Sequence, residues 1–145
     1  MLATIQKVSE ARVLIEGKIF SEIGSGLLIF VCIEKDDSIE SITSMVGKII
    51  NFKMFHGFKG SKPHSLKDTN EEALVVSQFT LAAITNKGNK PSFHKSAKPE
   101  EAKLLYDEFI SLFERSYGKF KNGKFGAFME ISLINKGPIT YNFKT

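Results

Sequence analysis

The segment Leu27-Leu28-Ile29-Phe30-Val31-Cys32-Ile33 is the longest apolar run in the chain, and the rest of the fold must be built around it. Seven apolar residues without a polar interruption, introduced by Gly24-Ser25-Gly26, predict a strand that is buried on both faces. The run is too short to cross a bilayer, which takes about 20 apolar residues. Cys32, the single cysteine, is therefore interpreted as a small buried apolar side chain.

The segments on either side of this run predict a hairpin and a helix. Before it, Val13 and Ile15 stand at alternate positions, Glu16-Gly17-Lys18 follows, and Ile19 comes next, which is typical of a β-hairpin. After it, apolar residues recur at helical spacing from Ser38 to about Phe52, with Ser38 as the predicted N-cap. The apolar face of this helix comprises Ile39, Ile42, Met45, Val46, Ile49 and Ile50.

The second half of the chain predicts a loop, a strand and another helix. The polar segment from Gly57 to Asn70 indicates a loop or irregular hairpin, and Ala73–Leu81 indicates a second buried strand. A helix is predicted to begin at Pro99, which suits a first turn, and to end before Gly118. Its expected inner face comprises Ala102, Leu105, Tyr106, Phe109, Leu112 and Phe113.

The C-terminal segment predicts a terminal hairpin. Alternating apolar residues from Phe125 to Leu133 indicate one strand, and residues Ile139–Phe143 indicate another. Gly137-Pro138 between them is predicted to be the turn, because glycine tolerates unusual backbone angles and proline fixes its own. Together the elements predict one α+β domain over residues 1–145, with a mainly antiparallel sheet and two principal helices on one side.

Composition restricts the functional classes. The apolar fraction of 42% and the charged fraction of 25% are ordinary for a globular protein, and the N-terminus lacks a signal peptide, so a cytoplasmic protein without membrane contact is expected. The histidines His56, His64 and His94 have no metal-binding spacing, and the sequence contains no GxSxG motif. We therefore expect no metal site and no cofactor.

Lysines are concentrated in one part of the chain. Lys87, Lys90, Lys95 and Lys98 follow one another without an intervening acidic residue in a chain whose net charge is +4. Such a cluster is typical of a surface that binds nucleic acid. A lysine-rich solvated face that only maintains solubility is the alternative.

Three polar residues interrupt the end of the second buried strand, in Ser77-Gln78-Phe79-Thr80-Leu81. They fit an exposed sheet face, where polar residues are ordinary. They also fit a site, because side chains and backbone amides at a strand end can bind a small polar substrate.

Residues 77–81 and Asn135-Lys136-Gly137-Pro138-Ile139-Thr140 resemble the two signature motifs of D-aminoacyl-tRNA deacylases, which are enzymes of translation quality control. The resemblance extends over essentially the whole chain. Its further segments are Ile5–Ala11, Lys90–Phe93, Pro99–Ala102 and Gly123–Met129.

The resemblance implies a function and an assembly. Members of this family hydrolyse the ester that joins a D-amino acid to the 3′-terminal ribose of tRNA, act on some glycyl-tRNA, and have a barrel-like fold in a homodimer. Their Gly-Pro peptide bond, here Gly137-Pro138, is cis and enters the active site of the partner subunit. Two carbonyl oxygens that point the same way would bind the substrate ammonium group, so that an L side chain would clash with protein.

The resemblance also implies roles for the remaining candidates. The main-chain amides near Phe79 and Thr80 would stabilise an oxyanion while the 2′-hydroxyl of the RNA assists water, and Ser77 and Gln78 would orient the substrate. Ser77 or Thr80 as a covalent nucleophile remains the alternative. Phe125, Met129 and Ala102 are expected at the substrate pocket or in the core, and Lys87, Lys90, Lys95 and Lys98 at the tRNA phosphates.

The sequence departs from the family pattern at four positions, and two other functions stay open. The departures are Lys7 for arginine, His64 for asparagine, Phe128 for aspartate and Lys136 for aspartate. A nucleic-acid-binding module without catalysis would use the same lysines. An editing domain for tRNA that carries a wrong L-amino acid would share the reaction.

Overall fold

The computed structural model describes residues 1–55, 62–86 and 88–145. A sheet of six strands and three α-helices occupy this part of the chain, with a 3-10 turn at Phe79–Ala82. The strands are β1 (Leu2–Ile15), β2 (Lys18–Ile23), β3 (Gly26–Cys32), β4 (Glu72–Ser77), β5 (Phe120–Asn122) and β6 (Glu130–Lys144). The helices are α1 (Ile39–Asn51), α2 (Leu66–Thr69) and α3 (Pro99–Ser116).

Strand β1 organises the sheet because both of its edges are paired. One edge pairs with β6, from Leu2 opposite Lys144 to Leu14 opposite Glu130. The other edge pairs first with β3 and then, beyond Val8, with β2. These three pairings are antiparallel, whereas β3–β4 and β4–β5 are parallel.

The sheet curves into a nearly closed barrel. Ser21 Oγ on β2 donates a hydrogen bond to the carbonyl oxygen of Asn122 on β5, at 3.1 Å. The amide of Gly24 likewise donates to the carboxylate of Glu72 at the start of β4, at 2.7 Å.

The predicted α+β class with two principal helices is confirmed, and the sheet is mixed and barrel-like.

The two faces of the sheet bury separate apolar clusters. On one face, α1 and α3 cover Ile5, Ile29 and Val75 with residues such as Met45 and Phe109. The opposite face fills the barrel and buries Val8, Ala11, Val13, Ile23, Leu28, Leu74 and Val76. Because β3 and β4 contribute to both clusters, their near-continuous apolar sequences follow from burial on both faces.

Several local predictions are confirmed. The β1–β2 hairpin turns at Glu16 (φ 51°) and Gly17 (φ 73°), and two successive positive φ angles are typical of a type I′ turn. Helix α1 begins after Ser38, and helix α3 begins at Pro99 and is followed by Gly118 at φ 79°. Of the predicted inner face of α1, Ile39 is the exception, because it is half exposed.

The predicted loop from Gly57 to Asn70 contains helix α2, so this prediction is partly wrong. Ser65 caps the helix by accepting from the amide of Asp68 at 3.2 Å, while the amide of Ser65 donates to the Asp68 carboxylate at 2.9 Å. This reciprocal pairing is a capping box, in which aspartate stands where glutamate is more usual. Residues 56–61, which include His56, lie outside the described residues.

The second buried strand is shorter than predicted. Strand β4 ends at Ser77, and residues Phe79–Ala82 form the 3-10 turn instead of continuing to Leu81. The parallel ladder with β3 ends at the pair Val31–Ser77, one residue before β3 itself ends at Cys32.

The predicted terminal hairpin is wrong, because β6 runs without reversal from Glu130 to Lys144. Gly137-Pro138 lies in a bulge of this strand, and its peptide bond is cis. Between the pairs Val8–Asn135 and Gln6–Thr140, β1 advances by two residues and β6 by five. The bulge is fixed at its base by Asn135, whose Nδ2 donates to the Lys7 and Ile139 carbonyl oxygens at 3.0 and 3.2 Å.

The strand predicted from Phe125 begins later than expected. Phe125 and Ala127, predicted to be part of this strand, lie in the turn that precedes β6.

Within the described ranges, no helix has the length and apolarity that crossing a membrane requires.

Gly26 is predicted to be essential for the parallel pairing of β3 with β4. A Cβ atom at this position would lie 1.9 Å from the carbonyl oxygen of Glu72, so Gly26→Ala must separate the strands at the first pair of their ladder. We expect a loss of about 3 kcal/mol or more in the free energy of unfolding, at or above the usual range for overpacking. Urea denaturation followed by circular dichroism measures this loss.

Gly47→Ala provides the matched control. Gly47 lies in α1, and a Cβ atom there meets nothing within 4 Å. Because alanine favours the helix, this variant should gain about 0.5–1 kcal/mol. Equal stability of the two variants would contradict the proposed role of the contact between Gly26 and Glu72.

Candidate active site

A cavity of about 730 Å³ opens where the parallel strands β3 and β4 end. Cys32 and Ser77 lie at these strand ends, and Gln78 and Phe79 continue the same wall. The segment that leads into α3 and the turn that precedes β6 form the other walls. The ends of parallel strands are common places for binding sites, because loops diverge there and leave a crevice.

The 3-10 turn after β4 presents backbone amides near the cavity. The Gln78 amide donates to the Val31 carbonyl oxygen at 2.7 Å, and the Leu81 amide donates to the Gln78 carbonyl oxygen at 3.3 Å. Within the described part of the chain, no backbone carbonyl accepts from the amides of Phe79 and Thr80. These two donors therefore remain available to a bound oxygen atom.

Side chains fix the conformation of this turn. Gln78 Nε2 donates to Thr80 Oγ1 at 2.5 Å. The Phe79 carbonyl oxygen accepts from Ser96 Oγ at 3.2 Å and from Cys32 Sγ at 3.5 Å. These contacts connect the turn to β3 and to the segment before α3. They hold the Phe79–Thr80 peptide group, whose nitrogen is the Thr80 amide.

Cys32 is a structural side chain within this arrangement. Burial raises the pKa of its thiol, and the nearby carboxylates of Glu34 and Asp37 add to that rise. The thiolate is the nucleophilic form of cysteine, so a raised pKa makes Cys32 a poor nucleophile at neutral pH. The predicted burial of Cys32 is confirmed.

The wall that precedes β6 is shaped by a tight turn. The Ala127 amide donates to the Lys124 carbonyl oxygen at 3.2 Å, and Gly126 has the positive φ of 73° that the third position of a type II turn requires. Phe125 packs towards Tyr106, with ring centroids 5.3 Å apart. Met129 lies against Gly123, where a Cβ atom would come within 2.8 Å of its sulfur atom.

Helix α3 closes the cavity with Ala102 and Tyr106. Burial raises the pKa of the Tyr106 phenol far above its ordinary value, and its hydroxyl lies 3.5 Å from the Val75 carbonyl oxygen. The phenol therefore remains neutral and serves as a wall of the cavity. The small side chain of Ala102 leaves space beside it.

Six of the predicted site residues line this one cavity, and the other described ones do not. The lining residues are Ser77, Gln78, Phe79, Ala102, Phe125 and Met129. Thr80 does not line the cavity, but it follows the lining residue Phe79 and accepts a hydrogen bond from the side chain of Gln78. Gly137 and Pro138 are exposed and do not line the cavity of their own chain. Lys90, Lys95 and Lys98 are exposed, and Lys87 lies outside the described residues.

The sequence interpretation did not assign Cys32, Phe93, Ser96, Tyr106 and Phe128 to the site, although all five line the cavity. Tyr106 and Cys32 carried the pattern of core residues, which is also correct. Phe93 and Ser96 lie between Lys90 and Lys98 in sequence, shortly before the predicted helix start at Pro99. This position was the sequence signal that could have assigned them to the site. Phe128 is out of phase with Phe125, Ala127 and Met129, so the alternation indicates the opposite face for it, but this pattern contains no signal that Phe128 lies at a cavity.

Among the described residues, no conventional catalytic base is bonded to Ser77. In the described residues, Ser77 has no hydrogen bond to a histidine or carboxylate, and the serine bonded to a histidine is Ser92, whose Oγ lies 2.6 Å from His94 Nδ1. The same residues bring together no group of three or more metal-binding side chains. The geometry offers amide donors and a shaped apolar cavity, which suit stabilisation of an oxyanion more than a serine–histidine mechanism.

The chain is similar to known proteins over nearly its whole length. Residues 4–144 match the family model described as D-Tyr-tRNA(Tyr) deacylase. D-aminoacyl-tRNA deacylase from Flavobacterium psychrophilum is 49% identical over 141 residues, covering 97% of this chain and 94% of the relative. The protein of the same name from Francisella tularensis subsp. tularensis is 43% identical over 144 residues, covering 99% of both chains.

Two solved structures are similar in fold. One, named c-Myc DNA Unwinding Element Binding Protein, is 36% identical with a TM-score of 0.94, covering 100% of this chain and 99% of the other. The second, described as a probable eukaryotic D-amino acid tRNA deacylase, has a TM-score of 0.86 over 98% of this chain and 97% of the other. At 21% identity, the second structure supports the fold alone.

The raised pKa of Cys32 predicts slow alkylation. At pH 7 the folded protein should react with iodoacetamide at least about tenfold more slowly than the urea-unfolded chain, because burial disfavours the thiolate. The rate for the folded protein should increase as the pH rises towards the raised pKa. Mass spectrometry of timed samples measures both rates, and equal rates would show that the thiol is not protected.

Proposed function

The chain belongs to the D-Tyr-tRNA(Tyr) deacylase family, and we propose that it hydrolyses the ester between a D-amino acid and the 3′-terminal ribose of tRNA. Water supplies a hydroxyl group to the amino acid and a proton to the ribose oxygen, so that free tRNA and the D-amino acid leave. The observation that carries the proposal is the turn Ser77–Leu81 beside the cavity, in which two amides have no backbone partner among the described residues. The proposed domain comprises residues 1–145, and its proposed location is the cytoplasm.

The proposed chemistry uses the backbone of the turn. The amides of Phe79 and Thr80 stabilise the oxyanion that forms when water attacks the ester, and the 2′-hydroxyl of the RNA assists that water. Ser77 and Gln78 orient the substrate. The free amides and the lack of a base beside Ser77 in the described residues both favour this role over a covalent serine.

The proposed selectivity for D-amino acids comes from a second copy of the chain. Gly137 and Pro138 are exposed on the bulge of β6 and do not line their own cavity, so the cavity of a partner is the one that could receive them. Their carbonyl oxygens would bind the ammonium group and leave no space for an L side chain. Glycyl-tRNA, which has no side chain to exclude, would be a further substrate.

The exposed lysines have a proposed role in tRNA binding. Lys95 and Lys98 flank the segment that lines the cavity, and Lys90 precedes it by a few residues. Their charges would contact phosphates of the acceptor stem, together with Lys87. A binding module without catalysis is the second candidate, because a structure 36% identical to this chain is named for binding a DNA unwinding element.

Paired enantiomers test the proposed reaction. Purified protein should release D-tyrosine from D-tyrosyl-tRNA and leave L-tyrosyl-tRNA intact, because only the L side chain meets the Gly137-Pro138 segment. Ala102→Trp, which fills the cavity, is the control for contaminating deacylases and should be inactive. Binding of tRNA with the ester left intact would favour the module, and faster release from the L-substrate would favour an editing enzyme of the other type.

Mixing two inactive variants tests whether the site is shared. Gly137→Leu should obstruct the partner's cavity, and Ala102→Trp should fill its own, so each homodimer should lack activity. After co-refolding at equal amounts, about half of the dimers contain both chains, and each of those has one intact site, which restores about a quarter of the wild-type rate. Absence of recovery in a sample that contains mixed dimers would contradict a shared site.

A further inference from the structure

Phe128 is the most exposed large apolar side chain in the described part of the protein. Its side chain is 99% exposed, although the residue lines the mouth of the cavity between Phe125 and Met129, which both turn towards the interior. A single exposed apolar residue needs no explanation by itself. The position of Phe128 beside a cavity, together with other aromatic rings, calls for one.

Phe79 and Phe93 also lie at this cavity, in addition to Phe125. Phe79 is 58% exposed and contacts Phe93 edge to face, with ring centroids 5.1 Å apart. Phe79 comes from the turn after β4, Phe93 from the segment before α3, and Phe128 from the segment before β6. Three separate parts of the chain therefore bring phenylalanine rings to one cavity, and one of these rings is almost fully in solvent.

The backbone around Phe128 is well fixed. The turn Lys124–Ala127 precedes it, Met129 is packed against Gly123, and strand β6 begins at Glu130. A ring on such a segment can stack on a flat ligand with little loss of backbone entropy. The neighbouring charges fit an anionic ligand, because the exposed Lys124 precedes Phe128 by four residues, and the exposed Lys95 and Lys98 flank the lining residues Ser96 and Ala97 in sequence. Glu130 is the nearest acidic residue in sequence.

We propose that Phe128 is a stacking platform for the unpaired 3′-terminal base of the RNA substrate. This inference rests on the proposed function, which puts the aminoacyl ester at the amides of Phe79 and Thr80. The base is attached to the same ribose as the ester, so it must lie close to the cavity mouth. A planar base and a solvent-exposed aromatic ring stack without requiring sequence-specific hydrogen bonds.

Kinetics of a truncated side chain test the stacking role. Phe128→Ala should raise KM for D-tyrosyl-tRNA by about 5- to 150-fold while kcat stays close to wild type, because one base–aromatic contact is lost in both the ground and transition states. Phe128→Tyr should restore the wild-type KM. Phe20→Ala is the matched control, since Phe20 is 51% exposed on β2 and does not line the cavity. An unchanged KM in Phe128→Ala overturns the proposal.

A fluorescence experiment gives a readout that does not depend on catalysis. The chain has no tryptophan, so Phe128→Trp introduces a single one. Its emission should be quenched by uncharged tRNA and not by the same tRNA lacking the 3′-terminal adenosine. Equal quenching by both RNAs would overturn the assignment to the terminal base.

The remaining outcomes separate this inference from the proposed function and from a contact between chains. Terminal-base-dependent quenching without D-tyrosine release by the wild type would reject the reaction and keep the base platform. A change from dimer to monomer in Phe128→Ala, measured by light scattering, together with quenching that does not depend on the terminal adenosine, would assign Phe128 to a contact between copies and overturn the proposal.

Discussion

The parallel pairing of β3 with β4 is the constraint on which the candidate site depends. It requires a close approach at Gly26, where a side chain would overlap the carbonyl oxygen of Glu72. Six aligned residue pairs then bring the two strands to a common end at Val31 and Ser77. Since both strands are buried on both faces, their register cannot slip without exposing apolar residues, and their common end is fixed.

The 3-10 turn at the end of this pairing provides the backbone amides of the proposed site. Strand β4 stops at Ser77, and the 3-10 turn that follows leaves the amides of Phe79 and Thr80 without backbone partners in the described chain. Contacts from Cys32 and Ser96 to the Phe79 carbonyl oxygen hold the turn in place. The proposed oxyanion site therefore needs no titrating side chain, which agrees with the lack of a basic partner for Ser77 in the part of the chain that the structure describes.

The long pairing of β1 with β6 has a different consequence. It keeps β6 in one direction over its full length and leaves three additional residues in a bulge. This bulge contains Gly137 and Pro138, which do not line the cavity of the same chain. A single chain thus separates the two segments that the family resemblance assigns to one site. Association of two copies about a two-fold axis is the proposed way to bring them together.

The sequence by itself determined the class of fold, both principal helices with their boundaries, the β1–β2 hairpin and the two signature segments. These features depend on local spacing, on caps and on turn residues, which act within a few positions along the chain.

Only the tertiary structure decided that β4 ends at Ser77, that Gly137-Pro138 forms a bulge instead of a hairpin turn, and that Cys32, Ser96 and Phe128 reach the cavity. These outcomes depend on which strand provides hydrogen-bond partners and which surfaces meet across the fold. That information lies in contacts between residues distant in sequence, such as Asn135 with Lys7, and no local pattern contains it.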